Sequence, residues 1–229
     1  MKLATALLLS LALVCGAGAA RASESDAAVA ERTAMLDARM EIADLVNNWA
    51  LFRDQEKWDE LAAIFHEEGT ISLSWFAGPH DGFIAASRQL AARSGALLKH
   101  YIGVPRIRVE GSRALSEVNV TIMVRAKTPA GEVDTTSYAR FIDRIEKRDD
   151  AWRIVQRVAV YEKDRADPVD RASLPDAVFE GMEKYPAELK FLAASLDRSG
   201  IPLSPVTVLD KSPELAALHK ENEAWLTGR

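Results

Sequence analysis

Four long stretches in the middle of the chain, 98–109, 114–127, 132–147 and 151–163, repeat their apolar residues with a period of two. They are separated only by Glu110-Gly111-Ser112, Thr128-Pro129-Ala130-Gly131 and Arg148-Asp149-Asp150, all compositions of tight turns. Parallel neighbours need a long crossover, so strands joined this closely must pair antiparallel, as a meander. A sheet of this length has one face to bury, and the chain ahead of it supplies the cover. Ile42, Leu45, Val46 and Trp49 recur at i, i+3, i+4 and i+7, which predicts a helix ending near Arg53. A shorter helix is expected through Trp58, Leu61, Ala62 and Phe65, stopped by Gly69, and a third over 83–92. A further strand is expected over 70–76. Helices followed by a run of strands give an α+β fold with the helices on one face of the sheet.

The ends of the chain read differently. Met1-Lys2, an apolar run to Val14 and the small residues through Ala20-Arg21-Ala22 have the form of a secretory leader over 1–22, with cleavage before Ser23. The run is short for a membrane span, so the expectation is an exported protein, periplasmic or secreted, with no stable membrane insertion after the leader is removed. Residues 23–32 are expected to be a loose lead-in. Beyond Lys163 the composition shifts at Asp167-Pro168-Val169-Asp170, and helical stretches follow over 175–198 and 212–225, a C-terminal extension over 166–229 expected to pack on the sheet or on a neighbouring subunit.

Composition removes several function classes. Across 229 residues the formal charge is −5, without the basic footprint of a nucleic-acid binder. Cys15, inside the expected leader, is the only cysteine, so disulfide scaffolds, thiol catalysis and cysteine-ligated zinc are excluded for the folded body. The four histidines, His66, His80, His100 and His219, form no metal-ligand spacing, and there is no phosphate loop, dinucleotide fingerprint or hydrolase elbow. Neither a metal nor a cofactor is therefore expected.

What remains is a set of polar residues inside apolar surroundings. Asp54 closes the first long helix after Trp49 and Phe52. His100 opens a strand among Leu98, Tyr101 and Ile102. Arg157 lies inside Ile154-Val155-Gln156-Arg157-Val158, and Tyr138 lies within the third long strand. Each has a plainer alternative: a solvent-facing or capping Asp54, a structural His100, an Arg157 on an exposed strand face. His66, next to Glu67-Glu68, reads as a solvated helix end, and His80 and His219 as a turn and a tail residue.

The run from Phe52-Arg53-Asp54 through Trp58-Asp59-Glu60-Leu61 to Phe65 resembles the opening of SnoaL-like domains of the nuclear transport factor 2-like superfamily. So do Asp81-Gly82-Phe83-Ile84, Lys99-His100-Tyr101-Ile102-Gly103 and Trp152-Arg153-Ile154. The resemblance covers about 36–163, within an expected domain over 33–165, and Tyr161-Glu162-Lys163-Asp164-Arg165 with the tail looks like a branch carrying a helical extension. It implies a cone, a strongly bent antiparallel sheet wrapped around a long helix, with a pocket at its wide end. Family members include scytalone dehydratase, hexachlorocyclohexane dehydrochlorinase, bile-acid dehydratase, ketosteroid isomerase and polyketide cyclases. Asp54 and His100 match the aspartate and histidine that dehydratase-like members use, and Arg157 resembles an arginine some place in the pocket. Trp49 departs from the tyrosine or lysine of some of those enzymes.

The implied activity is a cofactor-free lyase or isomerase. His100, held by Asp54, would take a proton from a small hydrophobic, cyclic substrate, with Arg157 or Tyr138 stabilising the developing charge. The alternatives are a non-catalytic binding module on the same cone, and an assembly protein using the open sheet face, which also allows a homo-oligomer.

Overall fold

The computed structural model describes residues 4–128, 131–170 and 174–229. Met1-Lys2 of the expected leader, Pro129-Ala130 of the second turn and residues 171–173 of the extension lie outside them. The chain divides into Met1–Met40 and Glu41–Arg229, and everything that forms the site belongs to the second unit.

The elements are α1 (Ala4–Asp54), α2 (Trp58–Ala63), β1 (Phe65–Ser72), β2 (Ala77–Pro79), α3 (His80–Ser94), β3 (Leu97–Ile102), β4 (Arg106–Glu110), β5 (Arg113–Thr128), β6 (Gly131–Arg148), β7 (Ala151–Pro168), α4 (Lys190–Arg198), β8 (Val208–Leu209) and α5 (Pro213–Thr227). One sheet runs β2-β1-β7-β6-β5-β3, with β4 also on β5 and β8 also on β7. The meander β5-β6-β7 is antiparallel, as the short turns require, whereas β1 and β8 join β7 in parallel. The result is the bent, unclosed sheet and N-terminal helix of the cone. Among the described residues no helix is long and apolar enough to cross a membrane.

Several boundaries differ from the sequence reading for physical reasons. Residues 26–32 are helical rather than a loose lead-in, since Ala27, Ala28, Ala30, Glu31 and Arg32 are strong helix formers. The expected strand over 98–109 is two strands, broken where Pro105 offers no N–H and Gly103 donates to the Asn119 carbonyl at 2.9 Å. The second helix ends at Ala63, and Phe65 opens β1. Gly69 lies inside that strand, where a Cβ would stand 2.9 Å from the carbonyl oxygen of Ile154 on the neighbouring strand. His66 is buried, its Nε2 3.0 Å from the carbonyl oxygen of Glu146, and is not a solvated helix end. Of the expected helix over 175–198, only Lys190–Arg198 is α-helical, after short 3₁₀ turns beginning at Asp176, Met182 and Ala187.

The buried stripe of α1 continues through Ile42, Val46 and Trp49. Trp49 stands between three elements, stacked on Phe83 of α3 and edge-on to Phe141 of β6 and His100 of β3. The extension uses both faces of the sheet. Leu215 of α5, started by the Ser212 hydroxyl accepting from the Leu215 N–H, packs on Ile142 and Val160. On the other side, α4 is capped by Asp164, which accepts from the Leu192 N–H at 2.7 Å.

Candidate active site

The end of α1 fixes the first functional group. The Lys57 N–H reaches the Phe52 carbonyl at 2.9 Å and the Glu56 N–H reaches the Arg53 carbonyl at 3.4 Å. This double closure is a Schellman motif, with Glu56 in the left-handed region at φ 56°. It makes Asp54 the last helical residue and turns its carboxylate toward β3. There Asp54 Oδ2 accepts from the His100 backbone N–H at 2.9 Å and Oδ1 stands 2.7 Å from His100 Nδ1. Lys99 Nζ lies 3.1 Å from Oδ2. The carboxylate thus demands a proton on Nδ1, which leaves Nε2 as an acceptor.

Electrostatics favour the same protonation state. Burial holds the His100 pKa below its ordinary value, against the pull of Asp54 and with the help of the Arg53 and Lys99 charges. For Asp54 burial works upward, but the bonds and charge of His100, together with Lys99, hold the carboxyl below its ordinary value. The pair at neutral pH is therefore a carboxylate beside a neutral imidazole.

The dyad opens into a cavity of about 360 Å³. Trp49, Trp75, Phe83 and Phe141 supply apolar walls, and Leu192 and Leu196 of α4 cover one side. The volume sits at the small end of ligand pockets and suits a compact, largely apolar molecule. Among the described residues no cluster of three or more His, Cys, Asp or Glu is placed to hold a metal ion.

The structure brings Asp54 and His100 together and leaves the other two candidates elsewhere. The row His100↔Ile122↔Ser137 faces the cavity side of the sheet, so Tyr138, one residue on, faces the opposite side, where the Lys163 ammonium lies over its ring. Arg157 is fully buried but does not line the cavity. Its Nε and Nη2 each donate to Asp143 at 2.7 Å, and its guanidinium lies over the Phe141 and Trp49 rings. It supports the wall from behind; an inward-pointing arginine in a strand needs a carboxylate, and β6 supplies one.

Two cavity residues escaped the sequence reading. Tyr161 sits one same-face row from His100, across the curled sheet on β7, and its hydroxyl accepts from the Ser74 N–H at 3.0 Å. Its own proton has no acceptor among the described residues, and burial raises its pKa, so it stays a hydrogen-bond donor. Arg53 also lines the cavity, four residues beyond Trp49 on the buried stripe of α1. A cation at helical spacing on an apolar stripe was the available signal for it.

Comparison with known proteins agrees with this fold. Residues 34–158 match the SnoaL-like domain model. Pea pathogenicity protein 2 of Fusarium vanettenii is 30% identical over 206 residues, covering 83% of this chain and 86% of that one. A putative scytalone dehydratase of Novosphingobium aromaticivorans superposes with a TM-score of 0.51 at 20% identity, over 62% of this chain and 99% of that one. A hexachlorocyclohexane dehydrochlorinase superposes with a TM-score of 0.50 at 15% identity, over 62% and 95%. These two structures share the fold with this protein. The chain belongs to the SnoaL-like domain family.

Proposed function

We propose that the protein is a lyase or isomerase that takes a proton from carbon in a small, ring-shaped hydrophobic substrate. The observation that carries this reading is the doubly anchored His100: Asp54 holds both its backbone and its Nδ1, which leaves Nε2 as the basic atom beside an apolar cavity. A binding pocket has no need of a buried carboxylate spent on orienting an imidazole. In the reaction, Nε2 takes the proton and the C–H electron pair moves into an enolate or expels a leaving group. Asp54 stabilises the imidazolium that forms. Tyr161, rather than Tyr138 or Arg157, stands where it can donate to the oxygen that gains charge. The chemistry is general acid–base catalysis and calls on no cofactor.

The kinship with folds that include a putative scytalone dehydratase and a dehydrochlorinase supports an elimination of this kind. The test is to identify by mass spectrometry what co-purifies with the protein and to follow its conversion by wild type and by His100→Ala. Conversion by wild type and its loss in the variant support the reading. A ligand retained unchanged by both makes the cavity a non-catalytic binding module.

A further inference from the structure

Arg53 is the cavity residue whose chemistry the dyad leaves unused. It is 5% exposed, and among the described residues its side chain makes no hydrogen bond and no ion pair. Its one close partner is the Trp58 ring, 5.3 Å below the guanidinium. Burial pulls its pKa down, and only the more distant charges of Asp54 and Glu56 act in its favour. Neither carboxylate is available as a partner: Asp54 is committed to His100 and Lys99, and Glu56 is exposed. Its nitrogens are not sealed in the core but open to the cavity, where the unpaired donors of a guanidinium are placed to meet an anion.

We propose that Arg53 is the anion-recognising residue of this cavity and that the ligand is a compact apolar ring compound bearing a carboxylate. The proposal deepens the reading of the site given above by naming the substrate class. The planar fork of a guanidinium matches a carboxylate in two parallel hydrogen bonds. With Asp54 matched by Lys99 and His100, and Glu56 exposed, Arg53 offers one uncommitted positive charge, which balances a monoanion and leaves a dianionic phosphate with one charge unmatched. Trp49, Trp75 and Phe83 then receive the apolar body, which places the ring beside His100.

The experiment is calorimetric titration of the full-length protein with 2-naphthoate, its uncharged isostere 2-naphthamide, and 2-naphthyl phosphate. Wild type is expected to bind the carboxylate about tenfold or more tighter than the amide, and tighter than the phosphate. Arg53→Met should reduce the preference over the amide to within about twofold, Arg53→Lys should keep part of it, and His100→Ala should keep all of it. The last variant separates this proposal from the catalytic reading, because it removes the base and leaves the anion site. Thermal melting supplies the second readout. Arg53→Met should melt at or above the wild-type temperature, since the change removes a largely buried charge that makes no ion pair and leaves a side chain that can still pack on Trp58. The proposal is overturned if wild type binds acid and amide equally or binds no acid at millimolar concentration, if phosphate binds best, or if the preference survives Arg53→Met. A large drop in melting temperature for Arg53→Met would overturn it too, by making Arg53 a structural strut on Trp58.

Discussion

Asp54 holds His100 twice, accepting from its backbone N–H at 2.9 Å through one oxygen and meeting its Nδ1 at 2.7 Å through the other. The carboxylate that fixes the tautomer also fixes the position of the strand carrying the ring. Replacing Asp54 therefore does two things, and the variants separate them. Asp54→Asn still offers one acceptor oxygen but no charge, so it is expected to leave the fold intact and to lower turnover by about 10²–10⁴-fold, the usual range for impairing a general base. Steady-state rates beside a circular-dichroism melt check this; a variant equal to wild type in turnover contradicts the assigned role.

The protonation state is measurable without a substrate. With His100 held neutral by burial and Nδ1 committed to Asp54, ¹⁵N chemical shifts should show the Nδ1–H tautomer from about pH 7 upward, with an imidazole titration below its ordinary value. Turnover should follow the same curve, rising as pH increases through that titration and then flat. An Nε2–H tautomer, or an imidazolium at neutral pH, would contradict the geometry.

Stability should fall in acid, by the same two groups. A folded-state His100 pKa below the unfolded value of 6.5 means that the unfolded chain binds more protons in between, so stability is lost as pH drops through this window. Asp54, lowered from 3.8, adds a second loss as pH falls through the carboxylate range. In His100→Ala the first decline should vanish while losses in the carboxylate range remain, as read from melting temperature against pH.

The Arg157–Asp143 pair is fully buried on both sides, and its effect should appear in folding before catalysis. Asp143→Ala leaves an uncompensated guanidinium against Phe141 and Trp49 and is expected to cost about 3–5 kcal/mol, measured by denaturant unfolding. The double variant Arg157→Met/Asp143→Leu should recover much of that loss. Single variants as stable as wild type would show that the pair does not support the cavity wall.

Glu56 occupies the left-handed position that closes α1, at φ 56°. Glu56→Gly removes the Cβ penalty and should leave stability unchanged or raise it by about 0.5–1 kcal/mol, with Asp54 still placed toward His100. A loss of stability of that size would mean that the Glu56 side chain, and not the backbone turn, organises the helix end.

The sheet and the contact between Asp54 and His100 were legible because each depends on local pattern. Period-two stretches with short turns dictate the meander, and a polar residue at the end of a helix or the start of a strand stands out against apolar neighbours. What could not be read depends on which parity of a strand faces inward. Tyr138 and Ser137 look equivalent until the register with Ile122 and His100 is known. Tyr161 was hidden further by the irregularity between Tyr138 and Ala139, which changes the phase of β7 against β6 around Glu162. Arg53 sits in the last turn of a helix, where basic residues commonly complement the dipole, and only its place on the buried stripe with Trp49 sets it apart. Phe65 continues the helical spacing of α2 by one more turn, yet pairing with β7 pulls it into β1, a tertiary preference that no local count contains.

Hydrogen–deuterium exchange at carbon tests the central claim most directly. Cyclic aryl ketones such as 1-tetralone and 1-indanone, with and without a ring carboxylate, are incubated with the protein in D₂O and followed by proton NMR. A His100 base in the cavity requires loss of the proton on the carbon next to the carbonyl for at least one of these compounds, faster than in buffer, with exchange falling to the buffer rate in His100→Ala. Exchange no faster than buffer for every compound, or equal exchange in wild type and His100→Ala, would contradict it.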